Sequence, residues 1–273
     1  MNAATRPAEQ ANLDALKKIR GMVIDMDGVL WRGEEAVPGL IHFIDTLRKR
    51  RIRFILATNN NTRTPADFAA KASDLGAKVS VDEVLTATTA TIHYLHSHYP
   101  RGTRIYAIGE KALKIQLEEA GYVLSDHEAS AVVAALDRNL TYEMIKQATL
   151  LIHGGAEFIG ANPDVVYPTP EGLVPGSGMV LAAIQSTTDR APLIIGKPET
   201  RMFEIALERM KLTPAECASL GDRLDTDIAG GKRAGLKSIL VLSGVTNSKE
   251  LSTSGIQPDW IFPSISEIAA ILD

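Results

Sequence analysis

The strongest constraint on the fold is a short apolar segment that stops at a pair of carboxylates. Residues 21–24, GMVI, are apolar and partly β-branched, and Asp25, Asp27 and Gly28 lie directly after them. A buried parallel strand has this form, because apolar side chains cover both of its faces and its end opens into a polar loop. The segment therefore predicts a strand inside a parallel sheet, with two carboxylates at its carboxyl end.

Strand and helix patterns alternate in the first part and in the last part of the chain, which are separated by a middle part. After residue 37 a helical pattern at 38–50 precedes a strand pattern at 51–61 and a capped helical pattern at 64–77. Near the other end, strands are predicted at APLIIGK (191–197), CASLGD (217–222) and KSILVLSG (237–244), with helices between them. This alternation predicts an α/β fold whose core is a doubly wound, Rossmann-like parallel sheet.

The middle of the chain carries strand and helix patterns of its own, such as the strands RIYAIG (104–109) and SAVVAAL (130–136). A segment of this length is enough for a small domain. We therefore predict a core formed by 1–87 and 186–273, with a smaller α/β cap inserted at 88–185. The stretch NPDVVYPTPEGLVPGSG (162–178) is rich in Pro and Gly, and it predicts an ordered loop over a ligand or an interdomain hinge.

Net charge, the length of apolar runs and the cysteine count indicate which kinds of partner to expect. The formal net charge is -4, which gives no electrostatic reason to expect nucleic acid. No apolar run approaches the ~20 residues that span a bilayer, and residues 1–19 read as a loose or partly helical polar leader rather than a signal peptide. Cys217 is the only cysteine, so we expect no intrachain disulfide, and we interpret it as a packed apolar residue. These features predict a cytoplasmic protein without membrane or nucleic-acid partners.

The two carboxylates after the first strand suggest a division of labour. Asp25 and Asp27 stand at positions i and i+2, so one turn can direct both into a single pocket. One can act as an ionised nucleophile while the other serves as general acid and base. An oxygen-ligand cation such as Mg²⁺ would neutralise their mutual repulsion and the charge of a phosphate. The alternative is an Asx-turn with two solvated charges.

Three more polar groups follow predicted strands, namely Thr58-Asn59-Asn60, Lys197, and the acidic loop GDRLDTD with Asp222, Asp225 and Asp227. In open α/β sheets, ligands bind outside the carboxyl ends of the strands, so four such strands predict one shared site. Each group also has a simpler interpretation. The hydroxyl and amides could cap a helix, the lysine could lie on the surface, and the acidic loop could bind calcium, although the later Gly and Glu of a calcium loop are missing.

Taken in order, these segments resemble the haloacid dehalogenase superfamily of phosphatases. The matching segments are DMDGVL (25–30), the loop at 58–60, GKP (196–198) and GDRLDTDIAGGKRAG (221–235). GVLWRG, LDRNLTYE and PTPEGLVPGSG further resemble the subgroup that carries a large α/β cap. That subgroup includes the nucleotide- and sugar-phosphate (NagD-like), 4-nitrophenyl, pyridoxal and phosphoglycolate phosphatases. The resemblance extends over nearly the whole chain from about residue 20.

The resemblance implies a role for each matching residue. Asp25 would be the nucleophile and a metal ligand, Asp27 the general acid and base with a carbonyl that ligates Mg²⁺, Asp222 a direct metal ligand, and Asp227 a residue that orients the ligands or a metal-bound water. Thr58, Asn59, Asn60 and Lys197 would bind the phosphate, Lys197 would also hold the nucleophile, and Tyr167 would reach the substrate from the cap. Pyridoxal phosphatases carry a histidine in the stretch around Tyr167, which argues against that substrate.

The expected activity is therefore Mg²⁺-dependent hydrolysis of a small phosphorylated metabolite through an aspartyl-phosphate, with 4-nitrophenyl phosphate as a substrate in vitro. Sugar phosphates, nucleotides, phosphoglycolate and glycerol phosphate are all compatible with the motifs, which do not identify the substrate. Asp27 argues against carbon–halogen hydrolysis, because a halide leaves without a proton. The alternatives are a phosphotransferase or mutase, and a non-catalytic module that binds phosphorylated metabolites. A homodimer through the cap is a further expectation.

Overall fold

The computed structural model describes residues 13–169 and 171–273, so most of the predicted leader, residues 1–12, lies outside the described residues. The described chain separates into two compact units. One contains the residues up to Ala57, Ala69–Val84 and Phe203–Asp273, and the other contains Thr58–Phe68 and Leu85–Met202. The boundaries predicted at 87/88 and 185/186 stay a prediction.

A six-stranded sheet contains β1 (Gly21–Ile24), β4 (Arg53–Thr58), β5 (Val84–Thr86), β13 (Cys217–Gly221), β14 (Lys237–Val241) and β15 (Trp260–Phe262). The order of these strands in the sheet is β15-β14-β13-β1-β4-β5. Strand β1 pairs in parallel with β13 on one side and with β4 on the other, so that Ile24 lies opposite both Leu220 and Leu56. Fully buried side chains on β1 explain its uninterrupted apolar sequence. The predicted parallel α/β core is confirmed.

Helices of the described chain accompany the strands, beginning with the helical residues 13–16. Ten further helices follow. They span Leu40–Lys49, Pro65–Asp74, Ala87–His98, Lys111–Glu119, Tyr142–His153, Ser177–Thr188, Arg201–Met210, Ala229–Arg233, Ser248–Thr253 and Ile265–Leu272. Short 3₁₀ turns occupy Val81–Glu83 and Pro214–Glu216, and a π-helical turn spans Leu224–Ile228. Among the residues described, no helix is both long and apolar enough to cross a bilayer. Cys217 is buried, and burial raises the pKa of its thiol to about 12, which confirms its interpretation as a packed apolar residue.

A second sheet has the order β12-β9-β8-β6-β7. Its strands are β6 (Arg104–Ile108), β7 (Val123–Leu124), β8 (Ala131–Ala134), β9 (Glu157–Gly160) and β12 (Leu193–Ile194), and all its pairings are parallel. Its apolar core includes Val132, Ile152, Phe158 and Val180, which come from two strands and from the helices at 142–153 and 177–188. The middle of the chain therefore has its own sheet and core, as expected from its patterns.

Strand β12 corrects one expectation. The segment 191–197 was predicted as a strand of the larger sheet, but Leu193 and Ile194 pair with Ile159 and Gly160 of β9 in the smaller sheet. Gly160 permits this pairing, because a Cβ there would lie 2.8 Å from the Ile194 side chain. An apolar strand pattern predicts a buried strand but carries no information about which sheet receives it.

The Pro- and Gly-rich stretch at 162–178 also differs from expectation. We predicted a loop or hinge, yet β10 (Val166–Thr169) and β11 (Gly172–Pro175) form an antiparallel hairpin in which Tyr167 lies opposite Val174. Each strand of a two-stranded ribbon has an unpaired edge, where a proline removes no ladder hydrogen bond. The prolines therefore did not exclude strands here. A second short hairpin joins β2 (Trp31–Arg32) and β3 (Glu35–Ala36).

Candidate active site

The carboxylates predicted from the first strand lie at its end. Asp25 extends the pairing of β1, since its backbone N–H donates to the carbonyl of Leu220 at 2.8 Å. Gly28 then adopts a φ of +82°, a conformation that glycine takes without strain, and its N–H donates to the carbonyl of Trp31 at 2.7 Å. Asp25 is half-buried and Asp27 is exposed. The tight turn therefore places two acids within three residues of a buried strand.

Three carboxylates converge at neighbouring strand ends. Asp222 follows β13, the neighbour of β1, and Asp227 lies in the π-helical turn that comes next. One oxygen from each of Asp25, Asp222 and Asp227 lies within 4.8 Å of the others. Asp222 and Asp227 are 2% and 3% exposed, and a cation held between carboxylates at this spacing would offset their mutual repulsion. The oxygen-only donor set fits a hard divalent cation such as Mg²⁺.

Backbone contacts hold Asp222 in place. Its Oδ2 accepts a 2.7 Å hydrogen bond from the N–H of Val245, and its carbonyl accepts one of 3.1 Å from the N–H of Thr246. A Cβ at either Gly28 or Gly244 would overlap the Asp222 carboxylate. The two glycines therefore allow the backbone of two loops to approach this carboxylate closely.

Asp225 and Asp227 of the acidic loop differ in burial. Asp227 accepts a 3.2 Å hydrogen bond from the N–H of Arg223, and a Cβ at Gly221 would overlap its side chain. Asp225, by contrast, is exposed and forms a two-point ion pair with the Arg223 guanidinium at 3.1 and 2.8 Å. Partial desolvation raises the pKa of the Asp225 carboxyl, but the hydrogen bonds and charge of Arg223 outweigh it, and the pKa is lower than its usual value. Asp225 thus stands apart from the cluster.

Asp27 makes a contact that its motif does not predict. The indole N–H of Trp31, a fully buried residue, donates to Oδ1 of Asp27 at 3.0 Å. The Lys71 ammonium lies 5.1 Å from the centre of the indole ring. The i, i+4 spacing of Asp27 and Trp31 within DMDGVLW was the available signal, but only the turn geometry brings the two side chains together.

The loop after β4 belongs to the other compact unit. Thr58 Oγ1 accepts a 3.1 Å hydrogen bond from the N–H of Asn60, and Asn60 Oδ1 accepts bonds of 2.8 and 2.9 Å from the N–H and hydroxyl of Thr62. Thr58 and Asn59 are buried. These local turns fix the path of the backbone after the strand. The hydroxyl and the backbone N–H groups of such a loop are suited to phosphoryl oxygens.

Asn59 joins this loop to Lys197. Its Oδ1 accepts from the N–H of Lys197 at 2.8 Å, and its Nδ2 donates to the carbonyl of Lys197 at 2.8 Å and to Oδ2 of Asp164 at 3.1 Å. The carbonyl of Asn59 accepts from Nδ2 of Asn162 at 2.6 Å. The loop and the lysine are therefore neighbours although 138 residues separate them in sequence.

A further asparagine extends the network beyond the predicted residues. Asn61 donates from Nδ2 to Oγ of Ser177 at 3.1 Å, and that hydroxyl accepts from the N–H of Leu136 at 3.0 Å. Oδ1 of Asn61 is buried and has no hydrogen-bond partner within the described structure. The third asparagine of the TNNN run was the only signal for this role. Asn61, Asn162, Asp164 and Ser177 were all absent from the predicted site.

Tyr167 lies on strand β10 of the hairpin and is half-buried. Arg138 forms a two-point ion pair with Glu110 at 2.5 and 3.0 Å. The hydrogen bonds to Glu110 raise the pKa of the Arg138 guanidinium, and Tyr167 contributes electrostatically to the same shift. The predicted specificity residue therefore has a charged neighbour from the segment LDRNLTYE.

The predicted residues fall into two sets. Asp25, Asp27, Asp222 and Asp227 belong to the unit built around the larger sheet, and Thr58, Asn59, Asn60, Tyr167 and Lys197 belong to the unit that contains the smaller sheet. Within the first set the structure brings three carboxylates together. Within the second it brings Asn59 and Lys197 together.

Comparison with known proteins decides the family. A model of haloacid dehalogenase-like hydrolases matches residues 22–123, and a second model, of HAD-like hydrolases, matches 194–268. An acid sugar phosphatase of Staphylococcus haemolyticus is 36% identical, over 92% of this chain and 95% of the relative. The chain belongs to the haloacid dehalogenase-like hydrolases.

Other relatives narrow the activity. A dihydroxyacetone phosphatase of Corynebacterium glutamicum is 37% identical over 91% of this chain and 90% of its own length. The crystal structure of a 4-nitrophenylphosphatase from Thermotoga maritima matches with a TM-score of 0.91 and 34% identity, and covers 95% of this chain and 99% of that one. The chain is a phosphatase, as its motifs predicted. Enzymes of this family use a divalent metal, which agrees with the carboxylate cluster.

Proposed function

We propose that the protein hydrolyses phosphate monoesters of small hydroxylated metabolites, of the sugar phosphate and dihydroxyacetone phosphate type, with Mg²⁺ as its metal. The observation that carries this proposal is the cluster of Asp25, Asp222 and Asp227 at adjoining strand ends. The substrate class is supported by relatives that are named acid sugar phosphatase and dihydroxyacetone phosphatase. A phosphotransferase has no comparable support among these named relatives.

The covalent step is assigned to Asp25. A carboxylate oxygen of Asp25 attacks phosphorus, the ester P–O bond breaks, and Asp27 gives its proton to the departing alkoxide. Asp27 then accepts a proton from water as that water attacks the phosphorus of the aspartyl-phosphate. Inorganic phosphate leaves and the Asp25 carboxylate is restored. Trp31 supports this assignment, since its N–H holds one oxygen of Asp27 while the other can exchange the proton.

The cation would be held by the carboxylates of Asp25 and Asp222 and by the carbonyl of Asp27, with Asp227 orienting the ligands. When bound, it supplies positive charge that lets the carboxylates tolerate an incoming phosphate dianion. Ca²⁺ prefers more ligands at longer distances than Mg²⁺, which demands a compact octahedral set. The oxygens of the three carboxylates, which lie within 4.8 Å of one another, fit a hard divalent cation of either size, so the assignment of Mg²⁺ rests on the resemblance to the family.

The remaining groups are assigned to the substrate. Thr58, Asn60 and Lys197 would hold the phosphoryl oxygens, and Tyr167 would contact the rest of the molecule. Residues 88–185 would form the cap that determines specificity. The cytoplasmic location and a homodimer through the cap stay predictions.

The Asp25→Asn variant tests the proposal. It should reduce kcat for 4-nitrophenyl phosphate and dihydroxyacetone phosphate by several orders of magnitude, because the amide is a poor nucleophile. Asp225→Asn is the matched control, since Asp225 lies in the acidic loop but outside the cluster. Its turnover should stay within a few-fold of the parent. A pure, folded Asp25→Asn protein with near-normal turnover would refute the assignment.

A further inference from the structure

Both hydrogens and the oxygen of the Asn59 side-chain amide have hydrogen-bond partners within the protein. Both hydrogens of Nδ2 have acceptors, the carbonyl of Lys197 at 2.8 Å and Oδ2 of Asp164 at 3.1 Å. Its Oδ1 accepts from the N–H of Lys197 at 2.8 Å. Asn59 therefore binds Lys197 at both backbone groups, as a neighbouring strand would. Asn59 is 8% exposed and Lys197 is 3% exposed, so the two bonds between them are shielded from bulk water, whereas the bond to Asp164 is partly exposed.

Glycine makes the close approach possible. A Cβ on Gly196 would lie 2.6 Å from Oδ1 of Asn59, 2.7 Å from the carbonyl of Ala161 and 3.0 Å from Cβ of Asn162. Gly196 instead donates its N–H to the Ala161 carbonyl at 2.9 Å. The backbone before Lys197 is thus packed against the same segment that supplies Asn162. A side chain at position 196 would push the lysine away from Asn59.

Asp164 connects this arrangement to the hairpin that carries Tyr167. Its N–H donates to Oδ1 of Asn162 at 3.1 Å, and its carbonyl accepts from the N–H of Gly178 at 2.8 Å. The next residue, Val165, accepts from the N–H of Gly176 at 2.7 Å. Asp164 therefore lies just before the hairpin. Its carboxylate is hydrogen-bonded to Asn59, and its backbone carbonyl is hydrogen-bonded to the segment that follows the hairpin.

From these contacts we propose that Asn59 and Asp164 are positioning residues that act through Lys197, and that Asn59 does not bind phosphate with its side chain. The proposal rests on the assignment of Lys197 to the phosphate. A lysine has a flexible four-carbon stem, so the position of its ammonium depends on how well its backbone is held. Asn59 fixes that backbone at two points, and Asp164 occupies the remaining amide hydrogen, which keeps the amide from turning toward a ligand.

The opposing role for Asn59 is direct phosphate binding through its amide. That role would require Nδ2 to leave the half-buried carboxylate of Asp164 or the backbone carbonyl of the buried Lys197, and a shielded polar group that loses its partner destabilises the protein. A phosphoryl oxygen has other donors within this unit, such as the hydroxyl of Thr58 and the ammonium of Lys197. The geometry therefore favours an indirect role.

A double-mutant cycle separates the two roles. The four proteins are the parent, Asn59→Ala, Lys197→Ala and the double variant, and Asp164→Asn is made in both the parent and the Lys197→Ala backgrounds. Each is measured for kcat/KM with 4-nitrophenyl phosphate, for the dissociation constant of inorganic phosphate by calorimetry with Mg²⁺ present, and for Tm. Gln185→Ala, an exposed amide on the helix at 177–188, is the control for a lost carboxamide.

We expect Asn59→Ala to lower kcat/KM roughly 10- to 100-fold in the parent, the scale of a misplaced catalytic group. In the Lys197→Ala background the same change should cost less than about twofold, because the group it positions is already gone. Asp164→Asn should show the same dependence on Lys197 with a smaller loss, since its amide oxygen still accepts from Asn59. Phosphate affinity should follow the same pattern, which gives a result even where turnover is too slow to measure.

Three results would overturn the proposal. If the fold-losses of Asn59→Ala and Lys197→Ala multiply in the double variant, for both kcat/KM and phosphate affinity, Asn59 acts independently of the lysine. If Asn59→Ala lowers Tm but leaves kcat/KM unchanged at a temperature where the variant is folded, its role is structural only. If Lys197→Ala alone has parent-like activity and phosphate affinity, the assignment of Lys197 fails as well, and this single variant identifies that case.

Discussion

The carboxylate cluster and the Asn59–Lys197 network position charged groups by different means. Asp25 and Asp222 are placed by the parallel pairing of β1 with β13, and Asp222 is then fixed by backbone N–H groups from 245 and 246. Lys197 follows β12, which pairs with β9, and its own backbone groups are then held by a side chain, the amide of Asn59. The first arrangement depends on backbone geometry and close glycine contacts. The second depends on hydrogen bonds among polar side chains from distant parts of the sequence.

The difference has a consequence for tolerance to mutation. A backbone-held carboxylate loses its place when a glycine beside it gains a side chain, because the main chain has no alternative rotamer. A side-chain network can exchange one amide or carboxylate for another and keep part of its bonds. Loss of a hydrogen-bonding side chain should therefore harm the network more than the carboxylate cluster. An added side chain should displace a carboxylate at Gly28, Gly221 or Gly244, and in the network it should do harm at Gly196.

Among the variants Gly244→Ala, Trp31→Phe and Tyr167→Ala, we expect Gly244→Ala to lower kcat/KM most. The added Cβ would overlap the Asp222 carboxylate, so that carboxylate must move, and we expect about a 100-fold loss of kcat/KM together with weaker Mg²⁺ activation. Gly255→Ala is the matched control, because a Cβ there has nothing within 4 Å. Activity titrated against Mg²⁺ concentration for both variants checks this. Equal behaviour of the two variants would remove the distinction between the regions.

Trp31→Phe should have an intermediate and substrate-dependent effect. It deletes the indole N–H that binds Oδ1 of Asp27 while keeping an aromatic ring in the buried position. A general acid matters more when the leaving group is a poor one, so kcat/KM should fall about 10-fold for alkyl phosphates and far less for 4-nitrophenyl phosphate. A series of esters with graded leaving groups measures this slope. An equal loss across the series would show that Trp31 acts on folding or on the metal instead.

Tyr167→Ala should have the smallest effect on chemistry and should change the order of substrates. Contacts to the leaving group determine the ratios of kcat/KM between substrates, and removing one is expected to shift a ratio by roughly 10-fold. 4-Nitrophenyl phosphate should change less than sugar phosphates and dihydroxyacetone phosphate. Kinetics over a panel of phosphorylated metabolites tests the prediction. A single common factor for all substrates would contradict the assignment of Tyr167 to specificity.

The two regions also differ in how well the sequence predicted them. Asp25, Asp222 and Asp227 follow buried strands within short motifs, so local pattern and the rule for strand ends were enough to place them in one cluster. Asp164 and Asn162 became visible only in the structure, since they meet Asn59 across more than one hundred residues of sequence. The same limit explains β12, whose pattern predicted a strand but not the sheet that it joins. Pairings between distant segments leave no periodic signal in the chain.

The proposed mechanism depends most on the phosphorylation of Asp25, and trapping the covalent intermediate tests this step directly. The parent protein with Mg²⁺ is mixed with dihydroxyacetone phosphate, quenched with acid within the first turnover, reduced with borohydride and digested for mass spectrometry. Borohydride converts an acyl phosphate of aspartate into homoserine, so we predict homoserine at position 25, and none there in Asp25→Asn. Homoserine at Asp27 or Asp222 instead, or an unmodified Asp25 during demonstrated turnover, would contradict the mechanism.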